Sequence, residues 1–169
     1  CVIEVELWKT GQLKPGDTVR FRPVSFEDAL QLRLAREEAL ASQIPCPATL
    51  PQRLDAAALS PVLLTDPARG ELPELRIRQS GDDYMLIEYG PAVLDFELRL
   101  RAHALMEAMV ASCQNGIIDL TPGIRSLQVH FDSRRLSRDD LIDRIRSLDL
   151  ALPALDELLI PSRVVHLPL

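Results

Sequence analysis

From Ile3 the chain alternates apolar and acidic residues. Ile3, Val5 and Leu7 fall on one side and Glu4 and Glu6 on the other, the period-two pattern of a half-buried strand over 2–8. Lys14-Pro15-Gly16-Asp17 has turn chemistry, because Pro presets φ and Gly tolerates a positive one. Residues 18–22 alternate again, with Val19 and Phe21 together, so the pattern predicts an antiparallel hairpin. Ser25 with Asp28 three positions on predicts an N-cap and a helix from about 26 to about 42, whose Arg33, Arg36, Glu37 and Glu38 make one face solvated. Residues 44–74 then hold Pro45, Pro47, Pro51, Pro61, Pro67 and Pro73, and read as a linker without regular structure, apart from one helical turn over 55–59.

Order returns at Leu75. Residues 75–79 and 84–89 are strand-like and are joined by Ser80-Gly81-Asp82-Asp83. Residues 93–112 have helical spacing, with Leu94, Leu98, Leu105 and Met109 on or near one stripe and Arg99, Arg101 and Glu107 elsewhere; Asn115-Gly116 stops the helix. A short strand over 117–120 and a Thr121-Pro122-Gly123 turn follow. Residues 125–131 then alternate, with Leu127, Val129 and Phe131 inward and Ser126, Gln128 and His130 outward. Ser137 with Asp140 caps a helix carrying Leu141, Ile142, Ile145 and Leu148. Pro153 interrupts it before a turn over 154–158 and a last apolar strand over 163–167. The expectation for 75–160 is a ββαββα unit: an α+β, two-layer domain with a four-stranded antiparallel sheet and two helices on one face.

Composition narrows the function classes. The 169 residues are 47% hydrophobic and 26% charged, which is globular rather than disordered or fibrous. A net charge of −6 disfavours a broad nucleic-acid surface, and 4% aromatics disfavour a base- or sugar-stacking platform. Cys1, Cys46 and Cys113 are odd in number and widely spaced, which points to free thiols in a reducing, cytoplasmic setting rather than to a zinc site or disulfides. No apolar run approaches the roughly 20 residues of a membrane span. The chain opens on Cys1 inside an apparent strand, as a piece of a longer polypeptide would.

Common catalytic signatures are missing: there is no GxSxG, Walker loop, HExxH or GxGxxG. His103, His130 and His166 are scattered over a helix and two strands. His103 and Glu107 share a helical face, a spacing frequent by chance. The most individual stretch is 116–132. There Thr121, Gly123 and Arg125 offer a hydroxyl, free backbone N–H groups and a fixed cation, a set suited to a carboxylate or a carboxylated cofactor. The same residues also fit a plain connection between strands, with Arg125 paired to a nearby acid.

Residues 6–17 and 19–30 resemble the end of the KipA-like half of the urea carboxylase carboxyltransferase domain. Residues 81–94 and 116–132 resemble the beginning of its KipI-like half, the allophanate hydrolase subunit 1 family, and 160–169 looks like the entry to the next subdomain. The resemblance implies four segments. Residues 1–43 would be the last strands and helix of a cyclophilin-like β-barrel, 44–74 a linker, 75–160 the KipI-like α/β domain, and 161–169 the first strand of a following barrel. It also implies a parent that is a biotin-dependent ligase. Elsewhere in such a parent, ATP and bicarbonate would carboxylate a biotin held on a carrier domain, and the carboxyl would pass to urea (or guanidine), giving allophanate from urea. Met85, Met106 and Met109 have no neighbouring Lys, so no biotin-attachment motif lies here, and the segment alone should be inactive. Thr121 to Arg125 match the family's loop, which places Thr121, Gly123 and Arg125 nearest substrate or carboxybiotin. Glu97 stands where relatives are expected to carry Asn, and no catalytic residue is assigned.

The partners so implied are the remaining carboxyltransferase halves, the biotin carrier and the small-molecule acceptor, with neither nucleic acid nor membrane. Two other readings remain. Free-standing KipI-like proteins inhibit a sensor histidine kinase, which would make this an interaction module; or the unit is a structural docking domain between two barrels.

Overall fold

The computed structural model describes residues 1–45, 60–112, 115–157 and 164–166, and all but the side chain of Asp156 among them. Five strands form one fully antiparallel sheet in the order β1-β2-β3-β5-β4: β1 Val62–Asp66, β2 Leu75–Gln79, β3 Tyr84–Tyr89, β4 Ile117–Pro122 and β5 Ser126–Phe131. Helix α3, Phe96–Ala111, connects β3 to β4, and helix α4, Arg138–Ala151, follows β5. Pairing β5 with β3 places the second hairpin beside the first.

Alternation decides which side of the sheet is dry. Leu75 and Ile77, then Met85, Ile87 and Tyr89, then Leu127, Val129 and Phe131 are buried on one face. They join Leu98, Ala102, Leu105 and Met109 of α3 and Leu141 and Ile145 of α4 in one apolar cluster. The register gathers the intervening residues on the other face, in rows such as Arg76–Glu88–Ser126 and Arg78–Leu86–Gln128–Thr121. The sheet is thus two-layered, with both helices on the apolar side, as the pattern predicts.

Both helix starts are capped by short polar side chains. Ser137 accepts from the Asp140 N–H at 3.1 Å, and Asp95 accepts from the N–H groups of Glu97 and Leu98. Helix α2, Phe26–Ser42, occupies the span read from sequence, and its Ser25 accepts from the Asp28 N–H at 2.9 Å.

Several expectations need correction. The linker contains a strand: β1 joins the sheet edge, making five strands rather than four. Pro61 and Pro67 flank Val62–Asp66 rather than interrupt it, and an edge strand tolerates proline there. The N-terminal hairpin is not formed. Glu4–Glu6 is a turn of 3-10 helix and Leu7–Thr10 a short helix α1, while 18–22 pairs with no strand. A lone hairpin gains too little to hold in water, and here Val5 is buried while Leu7, Trp8 and Phe21 stay exposed. Leu94 precedes α3 and is 87% exposed, so it leaves the predicted stripe, whereas Arg101 enters it at 1% exposure. Thr121 and Pro122 belong to β4, and the turn begins at Gly123. Residues 164–166 carry no regular structure; the rest of that predicted strand and the 55–59 turn lie outside the described residues.

Burying Arg101 requires partners. Asp149 of α4 accepts from its Nε at 3.1 Å and lies 2.9 Å from its Nη2. Nη2 also donates to the Asp149 carbonyl at 2.5 Å, and Nη1 to the Pro153 carbonyl at 3.2 Å. Tyr89 of β3 donates its hydroxyl to the same carboxylate at 2.7 Å. Burial, then the negative charge of Asp149, push the Tyr89 hydroxyl well above its ordinary pKa, so it remains a donor. Removing only the acid strands a buried cation. Asp149→Ala should therefore cost about 3–5 kcal/mol in chemical denaturation, and Tyr89→Phe less, about 1.5–3 kcal/mol. The pair Arg101→Met with Asp149→Leu should lose less than Asp149→Ala alone; a larger loss would refute the view that the stranded charge dominates.

A second acid is held between β5 and α4. Asp132 accepts from Arg134 Nε at 2.7 Å, Nη2 at 2.8 Å and the backbone N–H at 3.1 Å. These hydrogen bonds, led by that of the side chain, lower its pKa from 3.8 to about 2 against the opposing effect of burial. The unfolded chain takes up this proton near 3.8 and the folded chain only near 2. The stabilisation is therefore complete above about pH 4 and disappears as pH falls to about 2. In an acid titration of stability, Asp132→Asn should flatten the loss within that window; an unchanged slope there would count against the assignment.

Candidate functional site

The end of the sheet opposite α2 is built by the β4–β5 connection. β4 ends on Pro122, and Gly123 donates its N–H to the Ser126 carbonyl at 2.7 Å. A β-carbon on Gly123 would come within 2.4 Å of Ser126 Oγ, so a larger residue there requires the Ser126 hydroxyl to move aside. The Arg125 carbonyl accepts from Tyr89 N–H at 2.9 Å, which extends the β3–β5 pairing into the turn.

Arg125 is held at several points. Its Nη2 donates to Glu88 Oε1 at 2.7 Å, and its Nη1 donates to the carbonyls of Tyr89 and Gly90 at 3.2 and 3.1 Å. Glu88 lies on the polar face of β3 and also receives Arg78 Nη1 at 3.3 Å. The guanidinium is therefore fixed in place before any ligand arrives, and its side chain remains 21% exposed. An acid neighbour for Arg125 was one of the two readings of this stretch, and Glu88 is that acid. Nothing in the local spacing marks Glu88; only the strand register, which sets Glu88 opposite Ser126, would have found it.

Thr121 lies on the exposed edge strand and donates its hydroxyl to Asp119 Oδ2 at 2.9 Å. Thr121, Gly123 and Arg125 thus belong to one connection. Gly123 alone of the three lines the shallow groove of about 700 Å³ beside it, whose walls include Leu94, Phe96, Arg99 and Ile124. Leu94, Phe96 and Ile124 are largely exposed. Glu97, in the first turn of α3, is exposed at this same end. The groove offers backbone polar groups, the Arg99 side chain and an apolar ledge, with the Glu88-paired Arg125 held beside it.

The histidines do not converge. His103 is on α3, on the helical side of the sheet, and His130 is on the opposite face, stacked on Tyr84 with ring centres 4.3 Å apart. His166 is exposed in the terminal segment. Among the described residues no group of three or more His, Cys, Asp or Glu is placed to hold a metal ion. No helix among them is long and apolar enough to cross a membrane.

Comparison with known proteins agrees with this architecture. A family model described as carboxyltransferase domain, subdomain C and D, matches residues 75–169. The urea amidolyase of Saccharomyces cerevisiae is 30% identical over 99% of this chain, and a putative urea carboxylase of Emericella nidulans is 29% identical over 99%. The chain spans 9% and 15% of the lengths of those relatives. The crystal structure of the Kluyveromyces lactis urea amidolyase superposes with a TM-score of 0.79 at 29% identity, covering 88% of this chain and 9% of that one. That of the urea carboxylase from the same organism gives the same TM-score and covers 14% of its chain. With more than half of its residues matched, the chain belongs to the carboxyltransferase-domain family, subdomains C and D.

Proposed function

We propose that this chain is a segment of the carboxyltransferase region of a biotin-dependent urea carboxylase acting in the cytoplasm. The observation that carries the reading is the alignment of 99% of the chain with urea amidolyase and urea carboxylase relatives, across residues 1–74 as well as the family-matched 75–169. The biotin, ATP and bicarbonate chemistry belongs to other domains of the parent. Those domains and the remaining carboxyltransferase halves are the partners that meet this one.

The donor set at the sheet end suits the carboxyl group being moved. Arg125, held by Glu88 and two strand carbonyls, supplies a fixed positive charge beside a carboxylate. Gly123 keeps the turn tight, and Thr121, already oriented by Asp119, offers its hydroxyl oxygen as an acceptor toward an N–H of the acceptor substrate. Carboxylated biotin, when bound, would supply the carboxyl that passes to a urea nitrogen, its ring nitrogen taking the proton that this nitrogen loses. The protein contributes position and charge, not a covalent intermediate. Leu94, Phe96 and Ile124 beside the turn offer an apolar surface against which the rest of the carboxyltransferase region packs.

The test uses the natural polypeptide that contains this segment, supplied with ATP and labelled bicarbonate. Urea should yield acid-labile labelled allophanate, and avidin should abolish it; label in no product with either urea or guanidine would sink the reading. In the same assay Arg125→Ala should slow transfer by about tenfold to a hundredfold. A folded Arg125→Ala protein with an unchanged rate would leave the reaction standing and remove Arg125 from it.

A further inference from the structure

Helix α2 is joined to the rest of the fold chiefly by charge. Its Arg33 Nη1 pairs with Asp83 Oδ2 in the β2–β3 turn. Glu37 Oε1 receives Arg134 Nη1 at 2.6 Å, and Glu27 Oε1 receives Arg138 Nη2 at 3.1 Å. Near the start of the chain, the Glu4 N–H donates to Asp82 Oδ2 at 2.9 Å. Within the N-terminal block, Arg33 Nε is 3.7 Å from Glu37 and 3.9 Å from Glu4, and Arg36 reaches the Val5 carbonyl at 3.2 Å. On the opposing side Asp132, Arg135 and Asp139 complete the charged seam.

The apolar contribution is small. Ala29 is the one fully buried residue of α2; Leu30, Leu32 and Ala35 are half-buried, Phe26 rests at the margin of the apolar cluster with Arg138 over its ring, and Leu34 and Leu40 are exposed. The sheet and its two helices, by contrast, enclose a cluster whose fully buried members all lie between Leu75 and Ile145. Two blocks with such different cohesion open separately. The sheet unit has no need of α2 to bury its core, while α2, released, returns the partly exposed Glu37–Arg134 and Glu27–Arg138 pairs to water at little cost and gives up the more buried Arg33–Asp83 pair.

We propose that residues 1–43, through α2, form a detachable strap, latched onto the β2–β3 turn and the start of α4 by the Arg33–Asp83, Glu37–Arg134 and Glu27–Arg138 pairs. Opening it changes the position of the N-terminal block relative to the sheet unit without unfolding that unit. The inference rests on the ion-pair geometry and stands apart from the reaction assigned above.

Amide hydrogen exchange on the natural polypeptide that contains this segment tests it. Raising NaCl from about 0.05 M to about 0.5 M should speed exchange of the α2 amides by about tenfold, because screening weakens partly exposed pairs and a freed helix of this length is marginal. Amides of β3 and β5 should change by less than about twofold, since the core is apolar. Glu37→Lys, which sets like charges against Arg134, should mimic high salt at low salt. Glu38→Lys makes the same charge change on an exposed position of the helix and should leave α2 protected. The strap is overturned if α2 exchanges at the rate of β3 and β5 irrespective of salt, or if Glu38→Lys loosens it as much as Glu37→Lys.

Discussion

The fold turns on one buried carboxylate. Asp149, near the end of α4, receives the guanidinium of Arg101 from α3 and the hydroxyl of Tyr89 from the end of β3. Three elements are thus fixed to a single point beside the apolar cluster. Hydrophobic burial alone would allow the two helices to slide over the sheet, because apolar contact is not directional. A cation that is 1% exposed must keep its acid and two carbonyls, so the helices can adopt only the placement that satisfies it.

That placement reaches the candidate site through Tyr89. The residue anchoring the buried node is also the one whose backbone N–H and carbonyl bind Arg125, so the node and the site lie at two sides of one strand end. Glu88, its neighbour in β3, points to the opposite face and holds the same guanidinium. Under the proposed function such support matters, since a loosely held cation gives up most of its electrostatic benefit to reorganisation. Gly123 adds a close approach, as a larger residue there would push the Ser126 hydroxyl aside.

Much of this order was legible along the chain. The limits of β2, β3 and α2 and the caps Ser25 and Ser137 follow from period and capping chemistry, which act over a few residues. What escaped depends on distant contacts. β1 lies among prolines, and only its partner β2 shows that those prolines flank a strand. The alternation over 2–8 is equally good for a strand, yet without a neighbouring edge the backbone satisfies itself in helical turns. Arg101 occupies the same stripe as Leu98 and Leu105, but a charged residue reads as solvated until Asp149, 48 positions away, is seen beside it. The turn carrying Thr121, Gly123 and Arg125 was visible as chemistry; its partner Glu88 was not, because strand register is a property of two segments at once.

The two ends of the sheet divide the labour in an unusual way. At the α2 end, where the chain meets its own N-terminal block, contact is made by one largely buried ion pair, Arg33–Asp83, and by two partly exposed ones that water can replace. At the Arg125 end, where described residues leave the surface open, Leu94 at 87% and Phe96 at 74% exposure stand in water. Apolar contact is durable and indifferent to salt, whereas charged contact is reversible and sensitive to it. Under the proposed role, the apolar end suits a permanent seat against the rest of the carboxyltransferase region, which keeps Arg125 in register with the transfer chemistry. The charged end then permits movement of the preceding block without disturbing that register. A fold with the polarities exchanged would hold its own helix rigidly and its neighbours loosely, and would lose the fixed geometry that carboxyl transfer by positioning requires.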